Sequence, residues 1–367
     1  MFGGWTGQAD NRAYANLSSA VSIVQKSIVA TSDGQVPGTP VALFTGCMIA
    51  TASLGWQVPR VARGPRLSDV ESELSMKLVV LIATFGRKEQ LVRLLEHLER
   101  QERLPDEVVV SAPDETHVQA HKTNTFPISI VFGRHGSSAQ RNQALDHASG
   151  RFDVITFFDD DFIPDDDYLR LLERAFQENQ DWAVVMGNVV KDGARTAGLS
   201  WAQGLHFLAA ERAKGPAASK AVDYIGAYGC NMSVRAKFVG DLRFDERLVL
   251  YGWQEDIDFT SQLRRFGRVV GLSTLRGVHL GLKIGRVSGE RFGYSQVANP
   301  IYLIRKGTVP ARFALPLMGR NIAANLVRSL WPEPYIDRRG RLRGNLTALA
   351  HVLMGRVEPE YIQKIGP

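Results

Sequence analysis

Residues 154–164 read Val154-Ile155-Thr156-Phe157-Phe158-Asp159-Asp160-Asp161-Phe162-Ile163-Pro164. Five apolar or β-branched residues run straight into three aspartates, and an apolar Phe-Ile-Pro follows. An uninterrupted apolar run is the pattern of a strand buried on both faces, as in a parallel sheet. Adjacent carboxylates repel, and burying them unpaired is costly. A hard divalent cation, Mg2+ or Mn2+, relieves that repulsion, because it takes oxygen ligands and commonly binds one or two carboxylates together with substrate phosphates. In extended backbone Asp159 and Asp161 point to one side and Asp160 to the other, so the first and third form a D-x-D pair facing a ligand. The plainer alternative is a solvated turn or a capping cluster before Asp165–Asp167. The position directly after an apolar strand favours the metal.

The flanking segments extend the pattern. Leu78–Ala83 is another fully apolar strand. Leu91, Leu94, Leu95 and Leu98 follow at helical spacing. Glu107–Val110 and Ile128–Phe132 read as strands, and Ser137–Ala148 as a helix capped by Ser137 or Ser138. Tyr168, Leu171, Leu172, Ala175 and Phe176 mark a further helix, and Ala183–Met186 a fifth strand. This alternation predicts an α/β fold with a doubly wound, mainly parallel, Rossmann-like sheet. Ligands of such sheets bind beyond the carboxyl ends of the strands, where Thr84-Phe85-Gly86-Arg87 and Asp159–Asp161 fall. After about residue 190 the pattern loosens into longer loops, as suits an acceptor-side half.

The chain has 367 residues and is 44% hydrophobic, enough for one large α/β domain or two smaller ones. Cys47 and Cys230 are too few for a disulfide framework and are expected as reduced thiols of a cytoplasmic protein. The net charge of +6 is uneven: residues 305–343 carry +7 and the remainder −1. Such a basic segment meets nucleic acid, anionic lipid or an acidic substrate. No apolar run is long enough for an ordinary membrane span. Residues 1–75, with scattered small residues and weak periodicity, are expected to be a disordered leader or an over-extended start, with Met76 as initiator. Residues 76–305 are assigned to the catalytic domain and 306–367 to a basic, helical C-terminal region.

Four further motifs bear on chemistry. In Gly252-Trp253-Gln254-Glu255-Asp256-Ile257-Asp258-Phe259, three carboxylates open a helical pattern. They favour the helix dipole, or they supply a general base for a nucleophilic hydroxyl while a metal stabilises a departing diphosphate. Trp253 packs on a sugar face or in the core. His135-Gly136-Ser137-Ser138-Ala139-Gln140-Arg141-Asn142 joins a strand to a helix, so free N–H groups and Arg141 can face phosphate; the alternative is a surface arginine. Tyr228–Val234 (Y-G-C-N-M-S-V) is a tight turn before an apolar strand. His279 is either a hydrogen-bonded structural residue or the third ligand of an Asp/Asp/His metal site.

Taken in order, Leu78–Arg87 (L-V-V-L-I-A-T-F-G-R), Ser137–Leu145 (S-S-A-Q-R-N-Q-A-L), Phe157–Pro164 (F-F-D-D-D-F-I-P), Gly229–Arg235 (G-C-N-M-S-V-R) and Phe244–Phe259 (F-D-E-R-L-V-L-Y-G-W-Q-E-D-I-D-F) resemble the family 2 glycosyltransferases of GT-A fold, over about 77–305. The resemblance implies an inverting, metal-dependent transfer from a nucleotide-diphosphate sugar to a hydroxyl of a glycan or lipid-linked glycan, in cell-surface polysaccharide synthesis. Thr84, Arg87, Arg141, Asp159 and Asp160 are assigned to the donor. Asp159, Asp161 and His279 are assigned to Mg2+ or Mn2+, with Asp161 the more direct ligand. Asp256 is the implied base, with Glu255 and Asp258 nearby, and Trp253 and Asn231 are placed on the acceptor side. Lys283 and Arg286 resemble the diphosphate side that closes over the site. Two departures stand out: Ser111 and Ala112 occupy positions where the family carries aspartates, with Asp114 displaced, and Gly86 replaces a common Asn. The base of the donor is therefore left open. The Q-x-x-R-W motif of processive members is missing, which favours single-sugar transfer.

Within 317–331 a helical wheel puts Ile322, Ala323, Leu326, Val327 and Leu330 on one side and Arg320, Asn321, Asn325, Arg328 and Ser329 on the other. The apolar side either docks on the protein's own core or lies on an anionic leaflet, with 305–343 as a peripheral membrane contact at the inner face of the cell membrane. Alternative functions are a nucleotidyltransferase, which lacks its Gly-rich loop here, and a non-catalytic sugar-nucleotide-binding protein. Nucleic acid is not an expected partner, since the basic segment has no interleaved stacking aromatics.

Overall fold

The computed structural model describes residues 75–119, 121–215, 218–284 and 287–366. The expectations for residues 1–74, for Cys47 and for Arg286 lie outside these. The strands are β1 (Leu78–Ala83), β2 (Glu107–Ala112), β3 (Ile128–Phe132), β4 (Val154–Asp159), β5 (Phe162–Pro164), β6 (Trp182–Asp192), β7 (Ala221–Asp223), β8 (Asn231–Arg235) and β9 (Arg268–His279). The helices are α1 (Lys88–Leu98), α2 (Ser137–Ala148), α3 (Tyr168–Glu178), α4 (Trp201–Arg212), α5 (Glu255–Gln262), α6 (Gly289–Lys306), α7 (Ala311–Arg328) and α8 (Arg338–Leu353).

One sheet runs in the order β3-β2-β1-β4-β8-β6-β9-β5, with β7 also on β9. It is parallel from β3 through β4. Beyond β4 it becomes mixed, because β8 runs antiparallel between β4 and β6 while β6 and β9 are parallel. Strand order reverses at β1, with β2 on one side and β4 on the other, which opens a crevice at the carboxyl ends. Ala83 is in register with both Ser111 and Asp159, so the chain leaves β1 beside the aspartates.

Both faces are covered. Leu91, Leu94, Leu95 and Leu98 of α1 and Leu172 and Phe176 of α3 pack on one face with Val80, Ile82 and Phe158. Ala144 and Leu145 of α2 and Phe259 of α5 pack on the other with Leu81, Val109 and Phe157. Each large apolar side chain fully buried in this way contributes about 1.5–3 kcal/mol. Helix α2 starts at Ser137, but neither serine caps it: Gly136 is the cap residue. Ser137 Oγ instead donates to Glu255 at 3.0 Å and Ser138 Oγ to the Leu248 carbonyl at 3.3 Å.

Helices α6, α7 and α8 form a further layer. α6 and α8 cross closely: a Cβ on Gly344 would fall 2.0 Å from the Glu290 carbonyl oxygen, and one on Gly293 would fall 2.0 Å from that of Arg341. Helix α7 departs from the sequence expectation at one edge, while Arg320 and Arg328 are exposed and Ile322 packs inward as expected. Asn325, assigned to the polar side, is fully buried, and its amide donates to Gln296 at 2.8 Å and Asn345 at 2.9 Å. Asn345 in turn donates to the Gly293 carbonyl at 2.7 Å. These mutually satisfied amides draw the Asn325 face inward. Ile322 and Met318 follow it, whereas Leu326, Val327 and Leu330 are 56%, 60% and 66% exposed.

Candidate active site

The loop after β1 and the aspartates after β4 meet at the crevice. Thr84 Oγ1 donates to Asp160 Oδ2 at 2.8 Å. Arg87 Nη1 donates to Asp160 Oδ1 at 2.6 Å, and its Nε and Nη2 donate to the Ile284 carbonyl at 3.0 and 2.9 Å. Asp160 therefore faces the β1 loop from the turn that joins β4 to β5, and Arg87 Nη1 also lies 3.5 Å from Asp161 Oδ2. Burial pushes its carboxyl up, and the Arg87 guanidinium opposes that shift. Arg87 also ties the segment after β9 to the floor of the crevice.

Asp159 and Asp161 face a different partner. They and His279, at the end of β9, each offer a ligand atom, all within 4.8 Å of one another. Two carboxylates and an imidazole can hold a divalent cation, and the carboxylates are the ligands that suit Mn2+ or Mg2+. Asp161 Oδ1 lies 3.4 Å from His279 Nε2, and its Oδ2 accepts from the Leu282 N–H at 2.8 Å. Burial would raise the Asp161 carboxyl, but His279 and Arg87 outweigh it and hold it well below the usual range. Burial disfavours the charged imidazole of His279, yet Asp161 and Asp192 hold it at about 10.

A second acidic group approaches from α5. The Asp256 carboxylate accepts from the Gly229 N–H at 2.7 Å and the Ile257 N–H at 2.8 Å. Burial pushes the Asp256 carboxyl up, against the pull of Arg141 and of these two N–H groups. A Cβ on Gly229 would sit 3.0 Å from Asp256 and 3.1 Å from Arg141, so either side chain would have to give by a few tenths of an ångström. Arg141, expected to face phosphate, lines the crevice and also bridges the two acidic motifs. It is buried, bonds Asp159 Oδ1 at 2.8 Å through Nη2, and pairs with Glu255 through Nη1. Burial raises Glu255 as well, against Arg141.

The crevice is lined by Thr84, Arg87, Arg141, Asp159, Asp160, Asp161 and His279, together with Phe85, His135 and Tyr251. Glu255 is buried against Arg141, whereas Asp256 beside it remains partly exposed. Trp253 is half-buried and meets Phe292 of α6 edge-on. Asn231 corrects the acceptor-side expectation: it is fully buried in β8, opposite Phe158, and its carbonyl accepts from the Tyr168 hydroxyl at 3.1 Å. A strand residue at the centre of the sheet has no open face to offer. Lys283 Nζ donates to the Ala194 carbonyl at 2.9 Å.

The sequence reading missed several neighbours. Asp192, at the end of β6, and Tyr228 both contact His279. Phe85 stacks on His135 with ring centroids 4.1 Å apart and is tilted on His117 at 4.4 Å. The loop into α5 holds Leu250 and Gln254 at φ 60° and 74°, a conformation that side chains larger than glycine seldom adopt and one that clusters at functional sites. None of these has a periodic signal. The displaced Asp114 caps a short turn, accepting from the Thr116 N–H at 2.8 Å, and Ser111 and Ala112 are fully buried.

Residues 79–238 match the family model for glycosyl transferase family 2. No curated protein matches the chain. Among solved structures, S. aureus TarS residues 1–349 in complex with UDP-GlcNAc is similar at 15% identity, with 79% of this chain and 88% of that one covered and a TM-score of 0.48. A mannosyltransferase from Pyrobaculum calidifontis, in complex with GDP-Man and Mn2+, is similar at 13% identity, covering 79% and 85%, with a TM-score of 0.43. Against a longer TarS structure the match spans 39% of that chain, at 19% identity and a TM-score of 0.43. What those proteins bind remains a property of those proteins. Residues 79–238 are therefore a domain matching glycosyl transferase family 2, built on the mixed, mainly parallel sheet that carries Asp159.

Proposed function

We propose that the chain transfers a single sugar, with inversion, from a nucleotide-diphosphate sugar to a hydroxyl of a glycan or lipid-linked glycan. One observation carries this reading: the Asp159/Asp161/His279 cluster sits at the switch point of the sheet, and Arg141 links it to a separate carboxylate motif. A divalent cation held by those three residues would neutralise charge on the departing diphosphate. The chain's own groups do the rest. Thr84 and Arg87 fix Asp160 at the donor side. Asp256 accepts the proton of the attacking hydroxyl, its carboxylate oriented by the N–H groups of Gly229 and Ile257. Arg141 spreads its charge over Asp159 and Glu255, which lets acidic groups for metal and for proton lie close together without collapse of either role. Trp253 and Tyr251 border the approach of the acceptor.

The test is direct. The full chain is incubated with Mn2+ or Mg2+ and a panel of nucleotide-sugars, and nucleoside diphosphate release is followed. Turnover on at least one donor, lost in Asp256→Asn with donor binding retained, supports the reading. Unchanged turnover in Asp161→Ala removes the metal from it.

The finer placement is a peripheral one, with the acceptor presented at a membrane surface. Among the described residues no helix is long and apolar enough to cross a membrane. Helix α7 contains no acidic residue, and the segment from Ala311 to Trp331 leaves Leu315, Leu326, Val327, Leu330 and Trp331 exposed beside Arg312, Arg320 and Arg328. Apolar side chains among arginines complement an anionic lipid surface. A second copy is the poorer occupant, since a two-fold contact would set these arginines against one another.

A further inference from the structure

We infer that Asp192 is a positioning residue for His279, holding the imidazole in the tautomer that aims Nε2 at Asp159 and Asp161. The inference rests on the metal reading above. Asp192 ends β6 in register with His279 of β9. Its Oδ1 lies 2.9 Å from His279 Nδ1. An ionised carboxylate only accepts, so Nδ1 keeps its proton and Nε2 is the nitrogen that gives up its proton when a cation binds. A metal-bound histidine is commonly oriented through its second nitrogen in this way.

Asp192 is itself held by two further donors. The Ala194 N–H donates to Oδ1 at 2.8 Å, and the Tyr228 hydroxyl donates to Oδ2 at 3.2 Å. The Tyr228 ring meets the imidazole edge-on, with centroids 5.8 Å apart. The Gly193 N–H donates to the His279 carbonyl at 2.8 Å. A Cβ on Gly193 would fall 2.0 Å from the Leu280 carbonyl oxygen, and one on Gly281 would fall 2.2 Å from the Ala194 nitrogen. Two glycines thus let the ends of β6 and β9 approach more closely than any side chain allows. The carboxylate is delivered to the imidazole by backbone, and the geometry exists before a cation arrives.

The experiment measures Mn2+ binding to the full chain from the free-ion EPR signal, with no donor present and no turnover needed. Asp192→Ala is expected to weaken Mn2+ affinity by about 10- to 100-fold. Asp192→Asn, which keeps an acceptor oxygen in place, is expected to recover most of it. In a His279→Ala background, Asp192→Ala is expected to have no further effect. Wild-type affinity in Asp192→Ala would overturn the inference, as would the same loss with and without His279. Should Asp192→Ala fail to fold, Tyr228→Phe takes its place. Tyr228→Phe is expected to weaken Mn2+ binding while His279 is present and to change nothing in the His279→Ala background. No weakening with His279 present overturns the inference. A wild-type chain that binds no Mn2+ overturns the metal reading as a whole. That outcome is distinct from one in which the wild type binds and Asp192→Ala binds equally.

Discussion

Arg141 Nη2 lies 2.8 Å from Asp159 Oδ1, and this bond joins the start of α2 to the tip of β4. The other amino group of the same guanidinium reaches Glu255, 114 residues further along the chain. One buried cation therefore sets the spacing between the metal-side and proton-side carboxylates. Arg141→Ala leaves Glu255 buried with only the Ser137 hydroxyl as donor, and losing a partner in this way costs about 1–3 kcal/mol. Urea denaturation reads the loss directly. Arg141→Lys keeps the charge but has no fork with which to bridge two carboxylates, so it is expected to recover stability in part and turnover hardly at all.

Gly229→Ala is expected to lower kcat by up to about 10-fold, because its Cβ would press on Asp256 and shift the carboxylate by a few tenths of an ångström from its N–H donors. Thermal melting should change little, and donor KM should hold. A kcat equal to wild type would show that Asp256 and Arg141 yield to the added Cβ.

Chelation supplies a metal test that needs no variant. Turnover is expected to vanish with EDTA and to return with excess Mn2+ or Mg2+. Asp161→Ala is expected not to return at metal concentrations that restore the wild type. Full turnover in EDTA would show that Asp159, Asp161 and His279 act without a cation.

Vesicles of defined composition test the α7 surface. The chain is expected to co-sediment with vesicles rich in anionic phospholipid and not with neutral ones, and rising salt should release it. Leu326→Asp with Leu330→Asp should abolish sedimentation while turnover on a water-soluble acceptor persists. A chain that stays in the supernatant and dimerises through α7 would assign the surface to a second copy.

Glu333 offers a pH readout away from the crevice. Hydrogen bonds from Arg338, at 2.8 and 2.9 Å, hold its carboxyl down at about 2. A carboxyl with a depressed folded pKa adds stability that is complete above its unfolded pKa and is lost as pH falls through the folded one. The difference in Tm between wild type and Glu333→Gln should therefore be constant above about pH 5 and shrink towards pH 2. A difference that does not change with pH would show that the pair contributes nothing through charge.

The sheet and its acidic edge are legible in the chain before it folds. Apolar runs at Leu78–Ala83 and Val154–Phe158 can be buried on both faces only as central strands, and their hydrophobic period demands no distant partner. The leucines of α1 are legible for the same reason: i, i+3, i+4 spacing is a local property of the chain. Which polar groups share a site is settled only by folding. Asp192 reaches His279 and Arg141 reaches Glu255 across long chain separations, and no local period marks such a pair. Burial of Asn325 was hidden likewise, because an amide is tolerated inside only when partners from other helices, here Gln296 and Asn345, satisfy it. Asn231 was misplaced because a tight-turn motif shows where the chain bends, but not whether the residue after the bend enters the centre of a sheet.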